Sequence, residues 1–199
     1  MSYLFEPENL LPQDGIALYY GVIYPEIEAN QLCHQLFDTI PWKQDEVRMF
    51  GKILTTKRKI AWFADPGIHY TYAGVKKEGL AWIDLLLGIK QKVEAITGAK
   101  YNACLLNLYH EGAEGMGYHK DNEKEIISGS SIASLSFGVP RRFSFKHALT
   151  NEKLDIELDN GSLLEMKGDI QQYWYHALPK TKKVKQMRIN LTFRMLHQQ

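Results

Sequence analysis

The chain has 199 residues, 45% hydrophobic and 24% charged, enough to bury a core within one domain spanning 1–199 without disulfides or oligomerisation. Its net charge of +1 gives no overall pull toward polyanions, and its two cysteines, Cys33 and Cys104, form no CxxC pair, which argues against a zinc site built from cysteine. No basic leader followed by an apolar run opens the sequence and no stretch of about 18 apolar residues occurs, so a soluble intracellular monomer is expected, cytoplasmic in a prokaryote or nuclear in a eukaryote, with no membrane association.

Along the chain, residues 26–40 place Ala29, Leu32, Cys33, Leu36, Phe37 and Ile40 at helical spacing. Trp82, Ile83, Leu86, Ile89, Val93 and Ile96 repeat the pattern before Gly98, so two amphipathic helices belong to the first half. From about residue 101 the period changes to two. Phe143 and Phe145 alternate with Arg142 and Ser144, LDIEL at 154–158 alternates strictly, and Asp159-Asn160-Gly161 has the composition of a hairpin turn. No repeat or linker divides the halves, and the fold class is α+β: helices packed on a strand-built barrel or sandwich. Local basic clusters stand at Lys57-Arg58-Lys59, Arg141-Arg142 and Lys180 to Arg188; such runs are more often solvated faces than nucleic-acid sites.

The last strand, RINLTFR, puts Arg188, Asn190, Thr192 and Arg194 on one face and Ile189, Leu191 and Phe193 on the other. Packing the apolar face on the helices would turn two guanidinium groups into the interior, where they need anionic partners. A half-exposed strand with its arginines in water satisfies the same pattern.

In GYHKDNE, His119 and Asp121 lie one residue apart, so on a strand both leave one face about 6–7 Å apart. His176, in WYHALP, follows 55 residues after Asp121, far enough for intervening strands to return the chain to that point. Two imidazoles and one carboxylate on a facial triangle are the ligand set of non-haem Fe(II) oxygenases. A zinc hydrolase can use the same residues, but inward arginines suit a dicarboxylate cosubstrate better than a water nucleophile. Of the other histidines, His34 reads as a helix residue, His197 as part of a tail, and His110 and His147 as strand-flanking groups with no assigned role.

The HxD pair, the distant histidine and RxNxTFR beginning twelve residues beyond it together resemble the AlkB family of Fe(II)- and 2-oxoglutarate-dependent dioxygenases. Asn107-Leu108-Tyr109, SIASLSFG at 131–138 with Arg142 and Phe145, and GSLLEM at 161–166 extend the likeness over about 45–195. The resemblance implies a double-stranded β-helix, or jelly roll, over about 101–196, braced by helices and carrying a nucleotide-recognition lid at about 45–75. It implies Fe(II) on His119, Asp121 and His176, with 2-oxoglutarate and O2 as cosubstrates. Asn107 and Tyr109 would hydrogen-bond the 2-oxoglutarate, Arg188 would pair with its far carboxylate, Arg194 would lie near the chelating end, and Asn190 and Thr192 would complete the lining. The implied reaction converts 2-oxoglutarate to succinate and carbon dioxide while an N-methyl group is hydroxylated and lost as formaldehyde.

RMFGK at 48–52 and WFADPGIHYTYAG at 62–74 resemble the branch of the family that repairs duplex DNA. That likeness casts Met49, Phe50 and Gly51 as a finger entering the base stack, with Phe50 filling the gap left by a flipped nucleotide, and Lys52 on phosphate. Tyr72 would stack on the flipped base opposite His119, with Tyr70 hydrogen-bonding nearby and Thr71 between them. Asn122 and Glu123 would meet the base edge; the positive charge of N1-methyladenine and N3-methylcytosine favours a carboxylate there. The plainer alternative makes Phe50 a hairpin-tip residue packed on its own domain and the tyrosines ordinary strand residues. Two positions depart from the branch: TTKRKIAW lacks a proline that commonly precedes the arginine, and Asn122 stands where an acid is frequent. The expected partner is alkylated DNA, duplex and single-stranded, with RNA as the alternative substrate of the same chemistry. A non-catalytic nucleic-acid-binding jelly roll ranks last, because all three metal ligands and both arginines are present.

Overall fold

Both helical periodicities fold as helices: α1 (Glu26–Thr39) and α2 (Asp84–Thr97), the second ended by Gly98 in the left-handed region at φ 71°. The computed structural model describes the backbone at residues 7–49, 52–72 and 75–198, and the side chains of those residues outside 45–54 and 70–78. Among them, thirteen strands form three sheets. In chain order these are β1 (Ile16–Val22), β2 (Lys43–Met49), β3 (Lys52–Ala64), β4 (His69–Tyr72), β5 (Val75–Glu78), β6 (Ala103–Tyr109) and β7 (Met116–His119), then β8 (Ile132–Gly138), β9 (Arg141–His147), β10 (Lys153–Leu158), β11 (Ser162–Lys167), β12 (Trp174–Leu178) and β13 (Arg188–Arg194). A single turn, α3 (Ile170–Tyr173), leads into β12.

The large sheet runs β1-β11-β8-β13-β6-β3-β2, the smaller one β10-β9-β12-β7, and β4 pairs with β5 alone. Every pairing is antiparallel. On one face of the large sheet, Ile189, Leu191 and Phe193 of β13 join a core with Ala29, Cys33 and Leu36 of α1 and Leu86, Ile89 and Val93 of α2. Between the sheets, Tyr109, Leu164 and Met166 meet Phe143, Phe145, Trp174 and Leu178. Two antiparallel sheets face to face with helices on one outer surface make the jelly-roll α+β fold. No helix among the described residues is long and apolar enough to cross a membrane.

The turn at Asp159-Asn160-Gly161 differs from expectation. Its flanking strands do not form a hairpin: β10 pairs with β9 in the small sheet, whereas β11 pairs with β8 and β1 in the large one. The segment is a corner between sheets. Gly161, at φ 75°, passes so close to the start of α1 that a Cβ would fall 2.7 Å from the Tyr24 carbonyl oxygen.

The basic clusters are also divided by the period of their strands. Arg58 turns inward, buried, with Nη1 3.3 Å from the Met116 sulfur, while Lys57 is exposed. Arg141 is buried and donates from Nη2 to the carbonyls of Glu114 at 3.0 Å and Pro179 at 2.9 Å, whereas Arg142 is exposed and lies 3.5 Å from Asp155. Arg141 thereby staples the connection after β6 to the one after β12.

Candidate metal and cosubstrate site

β13 settles the choice left open by its alternation. All seven residues are buried, and Arg188, Asn190, Thr192 and Arg194 line a cavity of about 330 Å³ between the sheets. Asn107 and Tyr109 of β6 line the same space, as do His119, Asp121, Glu123 and His176.

His119 and His176 are register partners on β7 and β12, which sets their rings 4.3 Å apart. Asp121 is not on their strand, because β7 ends at His119. Its carboxylate reaches the histidines from the irregular segment that follows, with Oδ1 3.8 Å from His119 Nε2 and 3.9 Å from His176 Nε2. One donor atom from each of the three residues lies within 4.8 Å of the other two, the spacing of a shared ion.

The protonation states suit a cation. His119 Nδ1 lies 2.8 Å from the Gly117 carbonyl oxygen, to which it can only donate, so Nε2 is the ring nitrogen that faces Asp121. Burial pushes His176 down to about 3, against the opposing pull of Asp121, so at neutral pH it is an uncharged donor. Burial alone would raise the Asp121 carboxyl, but Arg194, with His176 and His119, outweighs it and holds the group at about 2. Arg194 Nη2 donates to Asp121 Oδ2 at 2.8 Å. Phe143 stacks on the His176 ring at 5.6 Å, fixing its plane.

At the other end of the cavity, Arg188 Nη2 donates to Ser136 Oγ at 2.9 Å, while its buried Nε has no partner. Burial lowers this guanidinium to about 10, which leaves it cationic at neutral pH. Asn107 Oδ1 is likewise buried without a partner. A buried cation with an unused donor is a costly arrangement that an anion in the cavity would relieve. Asn190 and Thr192 are occupied within the protein: Asn190 Nδ2 donates to Ser134 Oγ and the Leu135 carbonyl, and Thr192 Oγ1 donates to Asn190 Oδ1. They shape the wall, whereas Arg188 has a donor to spare for an anion and Asn107 Oδ1 an acceptor for a donor group. The donor set and the cation at opposite ends fit an iron ion and a dicarboxylate.

Of the residues expected at a nucleotide, Glu123 lines the cavity, while Asn122 is exposed and lines a neighbouring groove of about 370 Å³. Phe50 and Gly51 lie outside the described residues. Met49 and Lys52 are register partners closing β2 and β3, and Tyr70, Thr71 and Tyr72 belong to β4; their side chains lie outside the described set. His110 and His147 point elsewhere, to Glu114 and Asp14. Sequence reasoning missed Arg58, Met116 and Phe143, which also line the cavity. Period-two alternation on β3 and β9 was the available signal for Arg58 and Phe143.

Comparison with known proteins agrees with this geometry. The sequence model of the 2OG-Fe(II) oxygenase superfamily matches residues 15–194. DNA oxidative demethylase ALKBH2 of Mus musculus is 34% identical, over 94% of this chain and 82% of its own length. The Homo sapiens protein of the same name is 35% identical, over 92% and 74%. Alpha-ketoglutarate-dependent dioxygenase alkB homolog 3 of Rattus norvegicus is 32% identical, over 92% and 64%. The solved structure of OsALKBH1 superposes with a TM-score of 0.63 over 94% of this chain and all of that one, at 16% identity, a likeness of fold.

Proposed function

This chain belongs to the AlkB family within the 2OG-Fe(II) oxygenase superfamily and is a dioxygenase that works with Fe(II) and 2-oxoglutarate; from that premise we propose that it repairs alkylated DNA. Its substrates are N1-methyladenine and N3-methylcytosine, and formaldehyde is released. The observation that carries this reading is one cavity holding three metal-donor atoms at one end and the buried Arg188 at the other, in a chain about a third identical to named DNA demethylases.

His119, Asp121 and His176 hold the iron. Arg188 pairs with the far carboxylate of 2-oxoglutarate, Asn107 and Tyr109 hydrogen-bond it, and Arg194 keeps Asp121 ionised. When bound, iron and 2-oxoglutarate supply the oxidising chemistry, using O2 to hydroxylate the N-methyl group. The protein's own task is to keep His176 neutral and Asp121 charged, and to keep bulk water from the reacting carbon.

The chain is one catalytic domain in which the two hairpins at about 45–75 form the lid. Met49, Phe50 and Gly51 make the finger, Lys52 meets phosphate, and Tyr70, Thr71 and Tyr72 with Asn122 and Glu123 frame the extruded base. A row of side chains on the outer face of the small sheet supports a nucleic-acid partner. Lys153 is the register partner of Lys146, which is partnered on its other side by Tyr175, and the Lys120 ammonium sits 4.6 Å from the Tyr175 ring centre. Like charges directly across a ladder are unfavourable, and a phosphate backbone would relieve them.

The test is turnover with Fe(II), 2-oxoglutarate and O2 on matched N1-methyladenine oligonucleotides as duplex DNA, single-stranded DNA and RNA. It is scored by loss of one methyl mass and by formaldehyde. Repair of DNA above RNA is the expected result. Succinate formation without demethylation of any oligonucleotide overturns the substrate, and preference for RNA moves the same chemistry to the other nucleic acid.

A further inference from the structure

β7 and β12 pair no further than His119 and His176, so Asp121, two residues on, receives no ladder hydrogen bond. Its backbone N–H is nevertheless satisfied: Gln171 Oε1 accepts it at 2.9 Å. Gln171 lies in α3, five residues ahead of His176. The next residue of that turn grips the same segment, because Lys120 Nζ donates to the Gln172 carbonyl.

α3 is itself anchored. Ile170 is buried against Gly15, where a Cβ would fall 2.7 Å from the Ile170 Cα, and Gly168 N donates to the Gly129 carbonyl at 3.1 Å. The amide nitrogen of Gln171 is buried with no partner, a desolvation cost that an apolar side chain of the same volume would avoid. What the glutamine supplies in return is an acceptor at the Asp121 amide. Asp121 is thus held at both ends, by Gln171 at the backbone and by Arg194 at the carboxylate.

We infer that Gln171 is a positioning residue for the metal centre: it replaces the missing ladder bond and sets the Asp121 carboxylate opposite the histidine pair. The inference rests on the assignment of Asp121 as an iron ligand. Partners that orient a ligand without touching the metal account for about 10- to 100-fold in affinity when removed.

The experiment titrates metal-free protein with Co(II), read by its visible absorption, in the wild type and in Asp121→Ala, Gln171→Met and Gln171→Glu. Thermal melts of the metal-free proteins run alongside. Gln171→Met is expected to weaken Co(II) binding about 10- to 100-fold. Gln171→Glu keeps an acceptor and is expected to restore binding, which a role in packing alone would not predict. Gln171→Ala provides the same comparison where the methionine does not fold. Wild-type Co(II) affinity in folded Gln171→Met or Gln171→Ala overturns the inference, whatever the melting temperature does. Wild-type affinity in Asp121→Ala would instead overturn the ligand assignment beneath it.

Discussion

Replacing Arg194 by leucine removes the cation that sits 2.8 Å from Asp121 Oδ2 while leaving the carboxylate 5% exposed. At an effective dielectric of about 20, unit charges at that separation attract by roughly 6 kcal/mol. Desolvation of both groups offsets part of this, and breaking one side of a buried pair costs about 3–5 kcal/mol. The assay is urea unfolding of metal-free protein at pH 7, followed by tryptophan fluorescence, for Arg194→Leu, Asp121→Asn and the double variant. The double variant is expected to lose several kcal/mol less than the sum of the singles, because no charge is left buried alone. Mn(II) is expected to stabilise Arg194→Leu more than wild type, since the ion takes over as counter-charge. A loss below about 1 kcal/mol in Arg194→Leu, or strict additivity, would refute the account of how Asp121 is kept ionised.

Acid should weaken the metal-free fold through His176, whose folded value near 3 lies below its ordinary 6.5. Only the unfolded chain binds that proton above pH 3, so this stabilisation is complete above about pH 6.5 and drains as pH falls toward 3, by about 2 kcal/mol between pH 7.5 and 5. His176→Asn should lack that part of the loss in a urea series, and an identical pH profile would disprove it. Arg188→Met is expected to raise KM for 2-oxoglutarate about 100-fold, the equivalent of a lost charge-assisted pair, and a change within about threefold would remove Arg188 from the cosubstrate. Phe50→Ala should impair repair of duplex more than of single-stranded substrate, and equal loss on both would end the wedge assignment. Lys146→Ala with Lys153→Ala should reduce the salt dependence of duplex binding by about 0.9 in log–log slope per lysine, and an unchanged slope would place the nucleic acid elsewhere.

What could be read from the residues was whatever a short period exposes. The alternation of RINLTFR placed Arg188 and Arg194 on the face they occupy, and the helical spacings of 26–40 and 82–96 marked the two bracing helices. What could not be read depends on pairings between distant segments. Nothing local distinguishes Asp159-Asn160-Gly161 as a corner from the same residues as a hairpin, because the difference lies in which sheet accepts β11. His119 and Asp121 were expected to share a strand face; they converge although the strand ends between them, through side chains 50 and 73 residues further on. The adjacent arginines 141 and 142 read as one patch, yet the first is spent on carbonyl oxygens.

β3 belongs to two structures at once. Its last six residues are locked to β6, from Lys59 opposite Leu108 to Ala64 opposite Ala103, while its first four pair only with β2, from Thr55 opposite Glu46 out to Lys52 opposite Met49. The overhanging part can therefore be lengthened, shortened or given a different tip without changing the register at Ile60 and Asn107. A hairpin spliced in between Glu46 and Thr55, which are register partners, would leave Arg58 in place and inherit a finished oxidising centre. Descendants of such a chain could change what they recognise many times over while the chemistry beneath stayed put.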